Sequence, residues 1–368
     1  MAGSSFGRQF RITSWGESHG EGLGVVVDGV PAGFPLSEAD IQFYLNRRKP
    51  GQSDFTTPRK EGDLVSILSG VFEGKTTGAP ISLLVRNENQ RSKDYSNIMN
   101  SYRPGHADYS FDARYGFRDY RGGGRSSGRE TIGRVAGGAI AALILKELGI
   151  EFTCYTLSVG PISCDRTHFD ADQILKNALF MPDAAASEKA SAYLQSLREK
   201  GDSSGGICEC VITGLPAGLG EPVFDKLDAD LARAIFSIGA VKGFEIGEGF
   251  AAARLRGSEN NDAFSADEAG RVTTKTNHCG GILGGISNGM PLVFRAAFKP
   301  TPSISIEQES ITKDHENTKL TIHGRHDPII VPRAVVVVEC MAAIVILDAL
   351  MGAMPAKFSS IKDFLRED

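Results

Sequence analysis

Short runs in which apolar and polar residues alternate, separated by turn-forming residues, fill the first third of the chain. Alternation with a period of two is typical of strands that bury one face. The pattern predicts antiparallel strands at residues 10–13, 24–27, 64–69 and 81–85. Further strand-like runs lie in the second half of the chain, at residues 207–213, 249–255 and 291–298.

Two longer stretches have the composition of buried helices. The first begins at Ser127-Gly-Arg-Glu130, which matches a capping box, and is rich in alanine and glycine up to Leu148, where Gly149 ends it. Its middle has almost no polar face, so we expect it to pack on all sides, against other helices. The second stretch follows Pro332, a residue suited to the first turn of a helix.

The apolar run of the second stretch, from residue 334 to residue 354, approaches the length of a membrane span. Glu339 and Asp348 interrupt it, and charged side chains are costly inside a bilayer, so a buried helix of a water-soluble protein is the better interpretation. We therefore expect no membrane partner. Two other segments, residues 36–46 and 170–179, have the pattern of surface helices.

Two antiparallel β regions that each lead into a buried helix predict an α+β fold, with helices between two sheets. The two helical stretches also align weakly at an offset of 200 residues, from Gly124 with Gly324 to Ile144 with Ile344. This similarity suggests one domain over residues 1–368 with two pseudo-symmetric halves. Chance matching of two apolar helices is the alternative.

Charge and cysteine content narrow the possible classes of protein. Forty lysines and arginines stand against 45 aspartates and glutamates, a net charge of -5, which removes the electrostatic case for a nucleic-acid partner. The six cysteines are too scattered for a disulfide scaffold, and no secretory leader pattern opens the sequence. We expect reduced thiols and a cytoplasmic protein.

An arginine cluster between residues 103 and 134 is the most specific chemical feature of the sequence. It contains no lysine and consists of Arg103, Arg114, Arg118, Arg121, Arg125, Arg129 and Arg134. Arginine favours bidentate contacts with phosphate or carboxylate, and the glycines at 122–124 precede a helix start, where free N–H groups also favour anions. The alternative is a solvated face whose arginines pair with Asp108, Asp112, Asp119 and Glu130.

Three other motifs carry residues that could take part in chemistry. Gly16-Glu-Ser-His-Gly20 matches a nucleophile pattern, but the residues after it read as a strand, which favours a hairpin carrying Ser18 and His19 over a nucleophile elbow. His106, in a turn beside the arginines, is suited to proton transfer. Residues 323–327 offer at most three metal ligands, so we expect no metal.

Seven segments, in order along the chain, resemble the signatures of chorismate synthases. They are Gly16-Glu-Ser-His-Gly20, Arg103-Pro-Gly-His-Ala-Asp108, Gly122-Gly-Gly-Arg-Ser-Ser127, Ser237-Ile-Gly-Ala-Val-Lys-Gly243, Gly280-Gly-Ile-Leu-Gly-Gly-Ile286, Lys299-Pro-Thr-Pro-Ser303 and Gly324-Arg-His-Asp-Pro328. The resemblance covers nearly the whole chain, and residues 151–205 lie outside any recognisable pattern.

The resemblance implies a β-α-β sandwich, a homotetramer and a lyase. Its reaction would be the trans 1,4-elimination of phosphate and a C6 proton from 5-enolpyruvylshikimate 3-phosphate to give chorismate, the last step of the shikimate pathway. Reduced FMN would be required without net redox change. NADPH would supply reducing equivalents indirectly, through a separate flavin reductase, because the chain has no long insertion that could form a reductase domain.

The family's functional residues map onto matching positions of this chain. The resemblance implies that His19 protonates or polarises the flavin, that His106 is the general acid for phosphate departure, and that Asp327 takes part in proton removal. Ser18 and Ser127 would relay protons. The implied flavin contacts are Arg125, Ser126, Ser127, Gly239, Ala240, Gly284, Lys299, Pro300, Thr301, Pro302, Ser303 and Arg325.

Arg48, Arg103, Arg129 and Arg134 are the candidate substrate ligands. One departure from the family pattern lies close by, since relatives often carry an arginine where this chain has Asp54. Arg47, Lys49 or Arg59 would then substitute, or the loop would turn outward. Two rival functions remain: an acyl-transfer hydrolase built on Ser18, and a non-catalytic anion-binding regulator that uses the arginine cluster.

Overall fold

A five-stranded antiparallel sheet forms one outer layer of the protein, whose computed structural model describes residues 3–51, 62–87, 99–120, 122–322 and 327–366. The strand order is β1-β2-β3-β7-β4. The strands are β1 (Ser5–Phe6), β2 (Arg11–Gly16), β3 (Gly22–Asp28), β4 (Val65–Ile67) and β7 (Ile81–Arg86), and the hairpin β5 (Val71–Phe72) with β6 (Lys75–Thr76) precedes β7. All four strands predicted in this region are confirmed.

A second five-stranded antiparallel sheet, of order β11-β16-β10-β8-β9, forms the opposite layer. It contains β8 (Glu151–Val159), β9 (Ile162–Ser163), β10 (Gly206–Thr213), β11 (Val241–Ile246) and β16 (Leu292–Phe298). The other strands form three hairpins: β12 (Phe264–Ala266) with β13 (Val272–Thr274), β14 (Ile282–Leu283) with β15 (Ile286–Ser287), and β17 (Gln308–Ile311) with β18 (Asn317–Leu320). The strands predicted at 207–213 and 291–298 are confirmed.

Two long helices lie between the sheets, α3 (Thr131–Glu147) and α7 (Val331–Ala353). The other α-helices of the described residues are α1 (Glu38–Arg48), α2 (Asp108–Tyr115), α4 (Ala184–Glu199), α5 (Leu227–Phe236), α6 (Gly257–Asn260) and α8 (Phe358–Phe364). Helix α3 packs on the first sheet and on α7, and α7 packs on β8 and β10 of the second sheet. The predicted α+β fold, with central helices between two antiparallel sheets, is confirmed.

The small residues of α3 allow this close packing. A Cβ atom added at Gly137 would lie 2.9 Å from Ile12 of β2, and one added at Gly138 would lie 2.5 Å from the carbonyl oxygen of Cys340 on α7. Only glycine fits such distances, because interiors are packed to the density of organic crystals. Helix α3 therefore packs on another helix, as predicted, and also on the first sheet.

Helix α7 is, in the described part of the chain, the one helix long and apolar enough to cross a membrane. Most of it is buried between the layers, as predicted for a core helix. Its buried Glu339 accepts hydrogen bonds of 2.9 and 2.6 Å from both terminal nitrogens of Arg47 on α1. Helices α3 and α7 begin 200 positions apart, but pseudo-symmetry of the two halves stays a prediction.

Three local predictions were wrong. The capping box at Ser127 does not start α3, since the Ser127 hydroxyl accepts from the backbone N–H of Arg129 in a short 3-10 turn, and Glu130 pairs with Arg134. Residues 170–179 form no α-helix, because the Asn177 side chain binds four nearby backbone groups and competes with helical hydrogen bonds. Residues 249–255 form a 3-10 helix, Gly249–Arg254, in place of a strand.

The segment that resembled no known pattern, residues 151–205, supplies β8, β9 and α4 to the second layer. All six cysteines are free thiols, as predicted. Four of them, Cys154, Cys208, Cys210 and Cys340, are buried, and burial raises the pKa of each thiol. They are therefore unreactive residues of the core.

Candidate active site

The turn between β2 and β3 carries the first pair of candidate catalytic residues. The Ser18 hydroxyl lies 3.0 Å from Nδ1 of His19, and Ser18 is buried. The imidazole lies against Gly122, where an added Cβ would be 2.2 Å from the ring. A strand both precedes and follows this turn, so the hairpin is confirmed, and the strand-turn-helix needed for a nucleophile elbow is absent here.

Arg125 fastens the glycine-rich segment to the first sheet. Its guanidinium donates to the carbonyl oxygen of Gly16 at 3.1 Å and to the Ser14 hydroxyl at 2.7 Å. The neighbouring Ser126 hydroxyl donates to the carbonyl oxygen of Gly123 at 2.7 Å. The three predicted residues Arg125, Ser126 and Ser127 thus lie on one segment beside the His19 turn.

A buried carboxylate holds two of the predicted substrate arginines together. The Asp63 carboxylate accepts from the guanidinium of Arg48 and, at 3.0 Å, from Nη1 of Arg129. Burial lowers the pKa of Arg48 to about 10, despite the opposing effect of Asp63, so Arg48 is charged at neutral pH. Burial would raise the pKa of Asp63, but the two guanidiniums outweigh it and hold that pKa below its usual range.

Arg333, at the start of α7, extends this cluster to Asp327. Its Nη1 donates to the Asp327 carboxylate at 2.6 Å, and its Nε donates to the carbonyl oxygen of Arg48 at 3.0 Å. Three guanidiniums therefore stand beside two carboxylates, counted over the residues that the structure describes. Nε of Arg48 is buried without a hydrogen-bond partner in that part of the chain, which suits an anionic ligand.

Asn87, directly after β7, connects the His19 turn to the Asp63 cluster, the group formed by Arg48, Asp63, Arg129, Arg333 and Asp327. Its side-chain amide nitrogen donates to the carbonyl oxygens of Glu17 and Gly20, at 3.1 and 2.7 Å. Its side-chain oxygen accepts from Nε of Arg129 at 2.5 Å. The position of the turn and the position of Arg129 are therefore coupled through one amide group.

The second candidate catalytic histidine lies against the segment from Lys299 to Ser303. Nε2 of His106 is 2.7 Å from the Ser303 hydroxyl, and Nζ of Lys299 donates to the carbonyl oxygen of Gly105 at 2.5 Å. Gly105 has a φ of 70°, and a Cβ there would lie 2.7 Å from Pro302. Burial and the nearby Lys242 lower the pKa of Lys299.

Backbone contacts join this segment to the other predicted residues. The Lys299 N–H donates to the carbonyl oxygen of Ala240 at 3.0 Å, and Pro300 packs at Gly205. The Ser203 hydroxyl donates to the carbonyl oxygen of Thr301 at 2.7 Å. The next residue, Ser204, donates its N–H to the carbonyl oxygen of Pro328, which follows Asp327. The His106 group is therefore linked, through residues 203–204 and Pro328, to the Asp63 cluster.

The other two predicted substrate arginines are paired within the protein. Nε of Arg103 donates to Asp108 at 2.8 Å, and the same carboxylate lies 2.9 Å from Nη1 of Arg118. Arg134 donates to the Glu130 carboxylate at 2.9 Å and to the Ser237 hydroxyl at 2.6 Å. Ser237 is two residues before Gly239 in the sequence. Asp108, Asp112 and Glu130, three of the four carboxylates named in the alternative interpretation, thus pair with arginines, but Arg103 and Asp108 are buried and do not form a solvated face.

Several predicted residues are not brought to these groups. Gly284 lies in the β14–β15 hairpin, where the carbonyl oxygen of Gly285 accepts from the N–H of Leu227 at the N-terminus of α5. Gly239 follows the C-terminus of α5, so the two predicted glycines lie at opposite ends of this helix. Arg47 is bound to Glu339 and so does not replace the missing arginine. Outside the described residues lie Asp54, Arg59, Arg121, His323, Arg325 and His326.

Sequence reasoning missed Asp63, Asn87 and Arg333, which hold the arginines of the Asp63 cluster in place. Arg129 lies 66 positions from Asp63 and 42 from Asn87, and although Arg333 is only six positions from Asp327, its contact with the Arg48 carbonyl oxygen spans 285 positions. A single sequence gives no signal for such pairings. In the described part of the chain no three His, Cys, Asp or Glu side chains are grouped as a metal site.

Known proteins identify the family. The sequence pattern of chorismate synthases matches residues 10–351. The chorismate synthase of Agathobacter rectalis is 64% identical over 367 residues, which cover 100% of each chain. That of Methanosarcina mazei is 57% identical over 356 residues, or 95% of this chain and 97% of its own.

A solved structure agrees with these relatives. A crystal structure of a chorismate synthase matches with a TM-score of 0.77 at 33% identity, over 98% of each chain. The fold and the relatives place the protein among the carbon–oxygen lyases that act on phosphates. The chain belongs to the chorismate synthase family, whose reaction completes the shikimate pathway. The predictions of the family, the fold and the lyase class are confirmed.

Proposed function

We propose that this chain converts 5-enolpyruvylshikimate 3-phosphate to chorismate with the help of reduced FMN. The observation that carries the proposal is the cluster of buried Arg48 and Arg129 with half-buried Arg333, which has more guanidinium groups than carboxylates among the described residues. The substrate has one phosphate and two carboxylates. Planar guanidiniums in a site of low dielectric bind such groups more strongly than exposed lysines do.

The residues around Lys299 fit a flavin mononucleotide. The space beside Gly239 is open, since a Cβ atom added there would have no neighbour within 4 Å. Ala240 has a φ of 73°, a left-handed conformation that non-glycine residues adopt at a cost of about 1–3 kcal/mol. Such strain clusters at ligand sites. Lys299 donates to a neutral carbonyl oxygen, which suits it to a phosphate. Residues 126–127, 239–240 and 299–303 would hold the cofactor.

Reduced FMN, when bound, supplies electron density that weakens the allylic C–O bond of the substrate. The protein's own contribution is proton transfer and fixed charge. The hydrogen bond between His106 and Ser303 fixes the orientation of the His106 ring, so that His106 can donate a proton to the departing phosphate. Arg48 and Arg129 stabilise the negative charge that develops on that phosphate.

The remaining proton transfers are assigned to the other end of the network. His19 is oriented by its contact with Ser18 and by Gly122, and it would donate a proton or a hydrogen bond to the cofactor when that group is bound. Arg333 donates to the Asp327 carboxylate at 2.6 Å and so fixes its position, and Asp327 takes part in removing the proton from the substrate ring. Ser18 and Ser127 relay protons to these groups.

Three further properties belong to the same proposal. The chain works in the cytoplasm as a homotetramer, without nucleic-acid or membrane partners. It has no reductase activity of its own, so a separate flavin reductase supplies reduced FMN with electrons from NADPH. Turnover driven by NADPH under strict anaerobiosis, with FMN and no other protein, would overturn the last point.

The decisive experiment is an anaerobic assay of the purified chain with 5-enolpyruvylshikimate 3-phosphate and chemically reduced FMN. We expect chorismate absorbance and inorganic phosphate to appear in a one-to-one ratio. No product, with reduced flavin shown to be bound, would contradict the proposal. Covalent labelling of Ser18 by an organophosphonate would instead favour a hydrolase, and substrate binding without conversion would favour an anion-binding regulator.

A further inference from the structure

Asp63 is a buried carboxylate between two exposed neighbours. Its side chain has 0% solvent exposure, whereas Gly62 and Leu64 are exposed. Its backbone has a φ of 47°, in the left-handed region that only a few per cent of non-glycine residues occupy. The chain therefore turns sharply at this position and places one carboxylate inside the protein.

The two oxygens of this carboxylate contact different arginines. Oδ2 accepts from Nη2 of Arg48, and Oδ1 accepts from Nη1 of Arg129 at 3.0 Å. Arg48 comes from the last turn of α1, and Arg129 precedes α3. Two cations from separate helices would repel each other without the shared anion, because buried charges interact strongly in a low dielectric.

We infer that Asp63 is a positioning residue for substrate binding: it holds the Arg48 and Arg129 guanidiniums side by side, so that together they bind the anionic groups of the substrate. This inference rests on the proposed function. Both arginines have a second anchor, since Nη1 of Arg48 is 3.5 Å from the Thr131 hydroxyl and Nε of Arg129 binds Asn87. The side chains are thereby fixed before any substrate arrives, and little entropy is lost on binding.

An opposite role is physically possible and is separated by experiment. A carboxylate that neutralises two arginines competes with an anionic ligand, so its removal would tighten substrate binding. A positioning carboxylate has the reverse effect, because the guanidiniums move apart when it is lost. The sign of the change in substrate affinity therefore decides between the two roles.

The test compares Asp63→Asn, which removes the charge and keeps the shape, with Asp63→Glu, which keeps the charge and displaces it by one methylene. We expect both variants to weaken the binding of 5-enolpyruvylshikimate 3-phosphate to the FMN-free protein by about tenfold or more, measured by isothermal titration calorimetry. In the anaerobic assay KM should rise in proportion, with a smaller change in kcat.

Glu209→Gln is the matched control. Glu209 is also a fully buried carboxylate between two arginines, Arg166 at 2.7 Å and Arg295 at 3.3 Å, but it lies on β10 of the second sheet. We expect this variant to lose thermal stability as Asp63→Asn does, while its substrate affinity and KM stay at the wild-type values. If both carboxylates had only a structural role, the two variants would show the same change in substrate affinity.

Several outcomes would overturn the inference. They are unchanged or tighter substrate binding in Asp63→Asn, wild-type KM in Asp63→Glu, and failure of both Asp63 variants to fold under conditions in which Glu209→Gln folds. Wild-type protein that produces no chorismate with reduced FMN would refute the proposed function itself. That result is read before any variant is compared, so the two failures are distinguishable.

Discussion

Nε2 of His106 and the hydroxyl of Ser303 lie 2.7 Å apart although the two residues are separated by 197 positions in sequence. His106 precedes α2, and Ser303 follows the last strand of the second sheet. The contact brings the proposed proton donor to the segment that we assign to the cofactor. Nε2 is therefore the ring nitrogen of His106 that Ser303 holds.

His106→Ala should lose most of the turnover while still binding FMN and substrate, because general acid catalysis contributes about 10²–10⁴-fold. The measurement is kcat in the anaerobic assay together with calorimetric binding of both ligands. Ser303→Ala serves as the graded companion, with a smaller loss of kcat, since it leaves the imidazole present but unoriented. Normal turnover in His106→Ala would remove this histidine from the mechanism.

Gly122→Ala should displace the His19 ring without unfolding the protein. The added Cβ would lie 2.2 Å from the imidazole, which can move because it is the end of a side chain. We expect kcat to fall by about 10²-fold, the effect of a misplacement of roughly 1 Å, with little change in Tm. Gly257→Ala, where an added Cβ meets nothing within 4 Å, is the control, and equal activities of the two variants would count against the role of His19.

Gly138→Ala should destabilise the centre of the protein. Its Cβ would lie 2.4 Å from the Cβ of Cys340 and 2.5 Å from the Cys340 carbonyl oxygen, so α3 and α7 would have to separate. Overpacking of this kind costs about 1–3 kcal/mol, which chemical denaturation would measure. Gly352→Ala, in α7 with open space around it, should instead stabilise by up to about 1 kcal/mol. Equal effects at both positions would contradict this packing argument.

Asp108→Asn should reduce stability in a pH-dependent way. Burial opposes ionisation of Asp108, but hydrogen bonds and charge from Arg103, with further charge from Arg118, hold its pKa below the usual range. A lowered pKa in the folded state adds stability above the unfolded pKa of about 3.9, and this stability is lost as the pH falls through the folded pKa.

The variant should therefore be less stable than wild type by about 3 kcal/mol at neutral pH, with a difference that shrinks as the pH falls below about 4. Urea unfolding at a series of pH values measures the effect. Asp28→Asn, which removes an exposed partner of Arg11, should change stability by less than about 1 kcal/mol at every pH. A constant difference for Asp108→Asn from acid to neutral pH would show that the loss is not electrostatic.

Sequence patterns were informative where local chemistry decides the structure. The alternation in the first third predicted β2, β3, β4 and β7, and the small residues of α3 predicted its burial on all sides. The helix predicted at 170–179 failed because side-chain contacts of Asn177 outweigh helix propensity there. Long-range pairing was also out of reach, since no local feature connects Asp63 with Arg129 or Asn87 with the His19 turn.

The arginine cluster shows a similar division. Its composition indicated either an anion site or internal ion pairs, and the structure contains both arrangements. Arg103, Arg118 and Arg134 have carboxylate partners from the same segment, whereas Arg129 binds Asp63, which is distant in sequence. Which arginine belongs to which group depends on how α1, α3 and the first sheet meet, and composition alone does not specify that.

The pairing of α3 with α7 also has a consequence for biosynthesis. Helix α3 is made early and α7, its partner, begins 200 residues later, at Val331. A nascent chain that has left the ribosome up to residue 320 therefore holds an apolar helix with one face uncovered, and such surfaces promote aggregation. The core therefore cannot close until translation is nearly finished, and we expect the yield of active protein to fall when chaperones are limiting.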